Sequence, residues 1–252
     1  MLYPMKLQAL IGKINNSQER IMSVKLEYLR KYNKKVEIIT NENIDNHLCY
    51  IPEKWRDIVK ESNFFVKKNK IIKLWKEALS VELRNTIQYL SDNLESLDLL
   101  YDTSKYSLLY GIRSSENELF YYEGQFVLDL DKNIELKKRW DSLPSSIKRF
   151  YEDLHNGFYY YASHSMGLVP EDEVTYLGEY DWGIMEILRK PIKIDISSSF
   201  GFFSNGMGAY VVIDSNNCLN EDATIWFKDK QPIYQVNFWD IVDEWMVLGF
   251  QF

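Results

Sequence analysis

The chain has 252 residues, and its 46% hydrophobic content is ample for a buried core. Its two cysteines, Cys49 and Cys218, are too few and too far apart to form a disulfide framework or a zinc site by themselves. The formal charge is −7, and because residues 134–252 hold 10 basic against 18 acidic residues, or −8, this half should repel nucleic acid and anionic membrane and attract a cationic partner.

The first half of the chain is predicted to be mostly helical. Apolar residues at helical spacing indicate helices over Pro4–Tyr32, from Pro52 through Val59, and from about Lys68 to Leu97, and a short strand is predicted at Val36–Thr40. The aromatic and β-branched stretches Tyr106–Ile112 and Leu119–Leu130 predict a β-hairpin. We therefore expect a mostly helical N-terminal region, residues 1–130, that ends in this hairpin.

The second half, residues 131–252, is predicted to be an α+β domain. Helices are expected from about Asn133 to Trp140 and from Leu143 to His155, where Asn156-Gly157 ends the helix. Strands are predicted at Ile192–Ile196, Tyr210–Ile213, Ala223–Phe227 and Ile233–Val236. Asn237 is expected to cap a last helix that turns Asp240, Asp243 and Glu244 outward. The domain should thus hold a mainly antiparallel or mixed sheet of about five or six strands flanked by helices.

Three phrases of this half stand in a fixed order. They are Leu143-Pro144-x-x-Ile147-x-x-Phe150-Tyr151-x-x-Leu154-His155-Asn156-Gly157, the strand that Gly206-Met207-Gly208 opens towards Asp214, and Phe238-Trp239-Asp240-Ile241. Together they resemble the SUKH superfamily, which includes bacterial immunity proteins and fungal cell-wall-synthesis regulators. The resemblance covers about residues 134–252, and the long segment between Gly157 and Pro191 departs from the family's compact pattern.

The resemblance implies a non-enzymatic domain. The residue patterns of the sequence do not indicate a catalytic site that would argue for an enzyme. Gly201 and Gly206 have the spacing of a phosphate loop, but Met207-Gly208 stand where Lys-Ser/Thr would be needed. His155 is expected to complete its helix, and no histidine has metal-ligand spacing to another His or Cys. We predict no catalytic residues, no metal site and no cofactor.

The densest acidic run of the chain is interleaved with aromatic residues. A solvated loop would account for the carboxylates, but aromatic anchors within an acidic rim are also what a hot spot for a basic partner would use. The predicted partner-binding residues are Glu171, Asp172, Glu173, Tyr176, Glu179, Tyr180, Asp181 and Trp182.

Bacterial members of the SUKH superfamily typically neutralise a toxin, often a nuclease, by binding it in the cytoplasm. The first hypothesis is therefore an immunity protein that binds a cognate basic toxin. The alternative is a scaffold or regulatory module that joins protein partners without blocking an enzyme. A cytoplasmic location is expected, because the chain begins without a signal-peptide pattern and lacks a long uncharged apolar run. The toxin's identity and the oligomeric state stay open.

Overall fold

The computed structural model describes residues 20–103, 105–127, 134–183, 188 and 190–251. In this part of the chain, eleven antiparallel strands form one continuous sheet. Ten strands follow one another across the sheet in chain order, and β7 pairs with β8 off this path. The strands are β1 (Val36–Ile39), β2 (Leu94–Asp102), β3 (Lys105–Arg113), β4 (Leu119–Gln125), β5 (Phe158–Tyr160), β6 (Ser165–Leu168), β7 (Thr175–Tyr176), β8 (Ser199–Ser204), β9 (Ala209–Asp214), β10 (Asp222–Phe227) and β11 (Ile233–Asn237).

The helices are short and most of them pack on one face of this sheet. They are α1 (residues 20–30), α2 (Glu53–Val59), α3 (Phe64–Leu79), α4 (Arg84–Asn93), α5 (Ile134–Arg139), α6 (Ser145–Arg149) and α7 (Phe238–Gly249). A π-helical turn, Phe150–Leu154, continues α6. No helix in the described residues is long and apolar enough to cross a membrane.

The predicted fold class was wrong in where the sheet lies. Four strands, β1 to β4, fall in the half expected to be mostly helical, and β4 pairs directly with β5, so the sheet is far larger than about five or six strands. The largest error is β2, which occupies the end of the helix predicted from Lys68 to Leu97. Leu94, Leu97 and Leu100 have helical spacing, but pairing with both β1 and β3 makes this segment a strand, with Leu97 and Leu99 in the main core and Leu100 in the cluster on the opposite face.

Several other predicted elements are confirmed, and one predicted strand was wrong. The hairpin is confirmed as β3 and β4, and the strands around residues 36–39, 210–213, 223–227 and 233–236 are confirmed as β1, β9, β10 and β11. The last helix is confirmed as α7, with the Asn237 side chain accepting from the backbone N–H groups of Trp239 and Asp240. The strand predicted at Ile192–Ile196 was wrong, because these isoleucines form no strand and pack around buried Trp226. Residues 4–19 of the first predicted helix lie outside the described residues.

The two faces of the sheet are covered in different ways. One face carries the main core, where aromatic residues of the strands pack under α2, α3, α4, α6 and α7. The opposite face has two separate smaller clusters, one under α1 and one in which Leu177, Trp182 and the isoleucines at 192, 194 and 196 pack around Trp226. Helix α1 is held there by Lys25, which is only 7% exposed and donates to Asp98 at 2.6 Å.

The last helix ties the two halves of the chain together. Asp243 of α7 is buried, and its carboxylate oxygens accept from the backbone N–H groups of Asn85 at 3.0 Å and Thr86 at 2.7 Å. These N–H groups belong to the first turn of α4, so a side chain from the end of the sequence caps a helix of the first half. The expectation that Asp243 points outward was wrong, whereas Asp240 and Glu244 are exposed.

Candidate functional site

The structure divides the predicted acidic and aromatic segment into buried and exposed members. Glu171 is only 4% exposed, and its backbone N–H donates to the Asn156 side chain. Trp182 packs edge-on against Trp226 and donates to the Leu177 carbonyl at 2.8 Å, so it belongs to the small cluster under this segment. Burial of Glu171 and packing of Trp182 contribute to the fold. The role of these two residues in partner binding stays a prediction.

Five of the remaining members line one open concavity of about 730 Å³, which we call the acidic concavity. Asp181 is exposed but does not line it. Residues 172–176 line it together with Glu179 and Tyr180 at the end of the turn that follows β7. The described residues that line the acidic concavity are Ile134, Glu135, Asp172, Glu173, Val174, Thr175, Tyr176, Glu179 and Tyr180.

The four carboxylates of the acidic concavity differ in their partners. Asp172 lies 3.5 Å from Nζ of Lys105, and Glu135 lies 2.6 Å from Nζ of Lys138. Glu173 lies 3.9 Å from Nδ1 of His164, and this carboxylate raises the pKa of His164 above its ordinary value. Glu179 is exposed and forms no ion pair with another described residue. The carboxylates of Glu173 and Glu179 are therefore the ones most open to a cationic partner.

The tyrosines of the acidic concavity are held in place unequally. Tyr176 stacks on buried Phe200 with the ring centroids 5.3 Å apart, and its hydroxyl donates to the Ser197 carbonyl. Tyr180 is 54% exposed, and its ring packs beside the ring of Trp182 with the ring centroids 5.6 Å apart. A fixed ring beside an exposed ring offers apolar contact area next to the carboxylates.

A second and more enclosed feature lies beside this surface. We call this space, of about 230 Å³, the polar cavity. Glu173 lines both features, so they are neighbours. The polar cavity is lined by Tyr32, Asn33, Val36, Leu100, Asp102, Thr103, Lys105, Ser107, Glu123, Gln125, Tyr159, Tyr161, His164 and Glu173.

The polar groups of the polar cavity come from the central strands. Ser107 of β3 donates to the Glu123 carboxylate at 2.6 Å, and the Gln125 amide donates to the Tyr159 hydroxyl at 2.8 Å. Burial raises the pKa of Glu123, and the hydrogen bond from Ser107 opposes that shift. His164 lies against the ring of Tyr159, with the ring centroids 4.9 Å apart.

His155 lies on the other side of the sheet and is fully buried. Its Nδ1 faces the Gln125 carbonyl at 3.0 Å, and because a carbonyl only accepts, Nδ1 carries the hydrogen. Its Nε2 then accepts from the Tyr110 hydroxyl at 2.7 Å, and that hydroxyl accepts from the Trp75 indole at 3.2 Å. Burial lowers the pKa of His155 to about 3. The expected helix-ending role of this side chain was wrong, because the ring packs in the core.

The glycines that have the spacing of a phosphate loop belong to a strand and a turn. Gly201 lies within β8, and Gly206 and Gly208 form the turn to β9 with φ values of +73° and +90°. These are left-handed conformations that glycine adopts without strain. The described residues contain no group of three or more His, Cys, Asp or Glu side chains placed to hold a metal ion.

The residues of the polar cavity were not found from the sequence. The missed signal is Glu123, a carboxylate in the middle of an otherwise aromatic strand, Leu-Phe-Tyr-Tyr-Glu-Gly-Gln. Alternation along β4 places Tyr121, Glu123 and Gln125 on one face. Glu135 was missed because α5 is distant in sequence from the segment that it borders.

No protein-family model, no curated protein and no solved structure matches this chain.

Proposed function

We propose that the protein acts by binding a basic protein partner at the acidic concavity, and that it is a bacterial immunity protein which neutralises a cognate toxin, of nuclease type, in the cytoplasm. The observation that carries this proposal is the convergence of the Glu173 and Glu179 carboxylates with the rings of Tyr176 and Tyr180 around one open surface. The resemblance of residues 134–252 to the SUKH superfamily supports the immunity role.

The physical argument is one of complementarity. Carboxylates around an interface steer a cationic partner and raise its association rate, and this effect weakens as salt screens the charges. Aromatic side chains supply the contact area that slows dissociation. An inhibitor that works in this way needs no reactive group of its own, because it covers the toxin's active site or locks the toxin's conformation.

The test uses the toxin encoded beside the gene for this protein. The unchanged protein should abolish toxicity when the two are mixed, and the double variant Glu173→Lys, Glu179→Lys should associate at least about tenfold more slowly at low salt. The matched control is Asp240→Lys, Glu244→Lys on α7, which makes the same change in charge at two exposed positions that do not line the acidic concavity. We expect the control to associate at nearly the unchanged rate.

Two results would contradict the proposal. Equal slowing by both double variants would mean that only the net charge matters and would remove the acidic concavity from the interface. Tight binding without loss of toxicity would reject the immunity role and favour a scaffold that couples partners without blocking them.

A further inference from the structure

A groove of about 660 Å³ lies where β1 ends beside β2, and we call it the edge groove. β1 pairs only with Leu99–Asp102 of β2, and the chain turns away from the sheet at residues 40–43. Among the described residues, no strand pairs with β2 at Ser96–Asp98 on this side. Alternate residues of an antiparallel strand direct their N–H and C=O groups to opposite neighbours. This stretch of β2 is therefore open to pairing with an added strand.

The edge groove has apolar walls on both faces of the sheet. Leu26 of α1 packs against the cluster on one face, whereas Ile44 and Val59 belong to the main core on the other. Successive side chains of a strand point to opposite faces, so both sets of side chains from an added strand would contact apolar residues. Met22 of α1 and Ile39 at the end of β1 also line the groove.

Lys67 of α3 supplies the positive charge of the edge groove. The side chain is half-buried, and its Nζ donates to the Val59 carbonyl at 3.3 Å. It forms no ion pair within the part of the chain that the structure describes. An ammonium group has three N–H donors, so Lys67 can also donate to a bound group.

The carboxylates near Lys67 already have cation partners. Asp98 lies 2.6 Å from Nζ of Lys25, and Glu61 lies 3.1 Å from Nζ of Lys70. Both attract the Lys67 ammonium at longer range, yet burial lowers the pKa of Lys67. A carboxylate of a ligand would therefore give this partly desolvated ammonium the close partner that it lacks.

We infer that the edge groove binds an extended peptide segment of a partner protein, which pairs with β2 at Ser96–Asp98 and places an acidic side chain against Lys67. The other side chains of the peptide are apolar and alternate between the two walls. Backbone hydrogen bonds to the strand edge give affinity, and the walls and the ammonium give specificity. The inference does not rest on the proposed function, because the edge groove shares no lining residue with the acidic concavity.

The experiment titrates the full-length protein with the peptide acetyl-Val-Ile-Glu-Ile-Val-amide and follows nuclear magnetic resonance spectra. We expect saturable amide shifts at Ile39 and Ser96–Asp98, and slower hydrogen exchange of the β2 N–H groups that pair with the peptide. The matched ligand has the same side chains on an N-methylated backbone, which cannot donate hydrogen bonds to β2. It should bind at least about tenfold more weakly.

One pair of variants tests the charge. Lys67→Met should weaken binding of the glutamate peptide about tenfold, because the carboxylate loses its ammonium partner. The same variant should weaken binding of acetyl-Val-Ile-Gln-Ile-Val-amide much less. The control is Lys76→Met on the same helix, because Lys76 is exposed and does not line the edge groove.

A second pair of variants tests the wall at α1 and leaves Lys67 in place. Met22→Glu adds a carboxylate to the apolar lining, so it should also weaken binding of the glutamate peptide. Ile21→Glu makes the same change in charge at the neighbouring residue, which is 65% exposed and does not line the edge groove. We expect Ile21→Glu to bind like the unchanged protein.

The inference is overturned if no peptide gives saturable shifts or if the N-methylated peptide binds equally well. It is also overturned if the glutamine peptide binds the unchanged protein as tightly as the glutamate peptide does. Unchanged affinity of both Lys67→Met and Met22→Glu would overturn it as well. A dimer in sedimentation equilibrium that Met22→Glu dissociates would assign the edge groove to a second copy of this chain instead of a partner's peptide.

Discussion

The two faces of the central strands differ in what their side chains do, although the same strands supply both. On the helix-covered face, Tyr110, Tyr122 and Phe158 are fully buried in the main core. On the opposite face, the neighbouring residues Glu123 and Tyr159 line the polar cavity. Since adjacent residues of a strand point to opposite faces, one residue of β4 can fill the main core and the next can line the cavity.

The two faces also differ in the polar groups that they bring together. The Trp75, Tyr110 and His155 side chains and the Gln125 carbonyl complete one buried chain of hydrogen bonds. The polar cavity instead brings the Glu123 carboxylate, which accepts from Ser107, together with Glu173 and His164. We therefore expect changes in the hydrogen-bond chain of the helix-covered face to lower folding stability more than changes around the polar cavity.

Adding one methyl group beside His155 should give the largest effect. A Cβ at Gly124 would lie 2.6 Å from Nε2 and Cε1 of His155, and the ring is held on both sides by hydrogen bonds. Gly124→Ala should lower the free energy of unfolding by about 2–5 kcal/mol, from overpacking and a broken hydrogen bond. Urea unfolding measures this. Gly183→Ala, where a Cβ meets nothing within 4 Å, is the control. Equal stability of the two variants would contradict the packing described here.

Removing a hydroxyl should distinguish two tyrosines that are paired across β3 and β4. Tyr110→Phe leaves both the Trp75 N–H and Nε2 of His155 without a partner, so we expect a loss of about 2–4 kcal/mol. Tyr122 lies directly opposite and is equally buried, but its hydroxyl has no described partner. Tyr122→Phe should therefore be close to neutral. Similar losses for both variants in urea unfolding would refute the role assigned to the hydrogen-bond chain.

Lowering the pH should reduce the folding stability of the protein through His155, which is buried on the helix-covered face. Its pKa is about 3 in the folded protein, whereas an unfolded histidine titrates near its ordinary value of 6.5. Between these values the unfolded state binds more protons, so stability is fully present above pH ~6.5 and falls as the pH is lowered, by about 1.4 kcal/mol per pH unit from this group. Imidazole resonances in nuclear magnetic resonance spectra should show His155 neutral down to about pH 4. Titration near pH 6.5 would contradict its burial.

The smallest effect is expected on the opposite face, at His164. Its pKa is raised by Glu173, so the stability that this pair contributes is present below pH ~6.5 and is lost as the pH rises through the folded pKa. The contribution is small because both side chains are about half exposed. Glu173→Gln should lower the pKa of His164, measured by the same resonances, whereas Glu118→Gln should not. An unchanged pKa of His164 in Glu173→Gln would mean that the two side chains do not interact.

The sequence predicted those elements whose signals are local. Asn237 ahead of Phe238 predicted the start of α7, and β9, β10 and β11 followed from short runs of apolar and β-branched residues. The start of β2, Leu94 to Leu97, was predicted as the end of a helix because its leucines continue the helical spacing of the preceding residues. The strands between Phe158 and Ser204 were missed because they are short and depend on pairing with distant residues.

The candidate site was only partly visible for the same reason. The acidic and aromatic run from Glu171 to Trp182 identified the segment, but burial of Glu171 and packing of Trp182 under Trp226 depend on strands elsewhere in the chain. The polar cavity joins β3, β4 and β5 to residues of the α1 region and to Glu173. No local sequence pattern predicts that these distant segments come together.

The sequence by itself determined the composition of this protein's surfaces and cores: the acidic second half, the abundance of aromatic residues and the caps and turns that short-range chemistry enforces. The tertiary structure alone decided that one sheet runs through both halves of the chain and that its less covered face gathers carboxylates around a cavity. The physical reason is that strand pairing and burial depend on residues far apart in the chain, whereas caps and turns are set by neighbours.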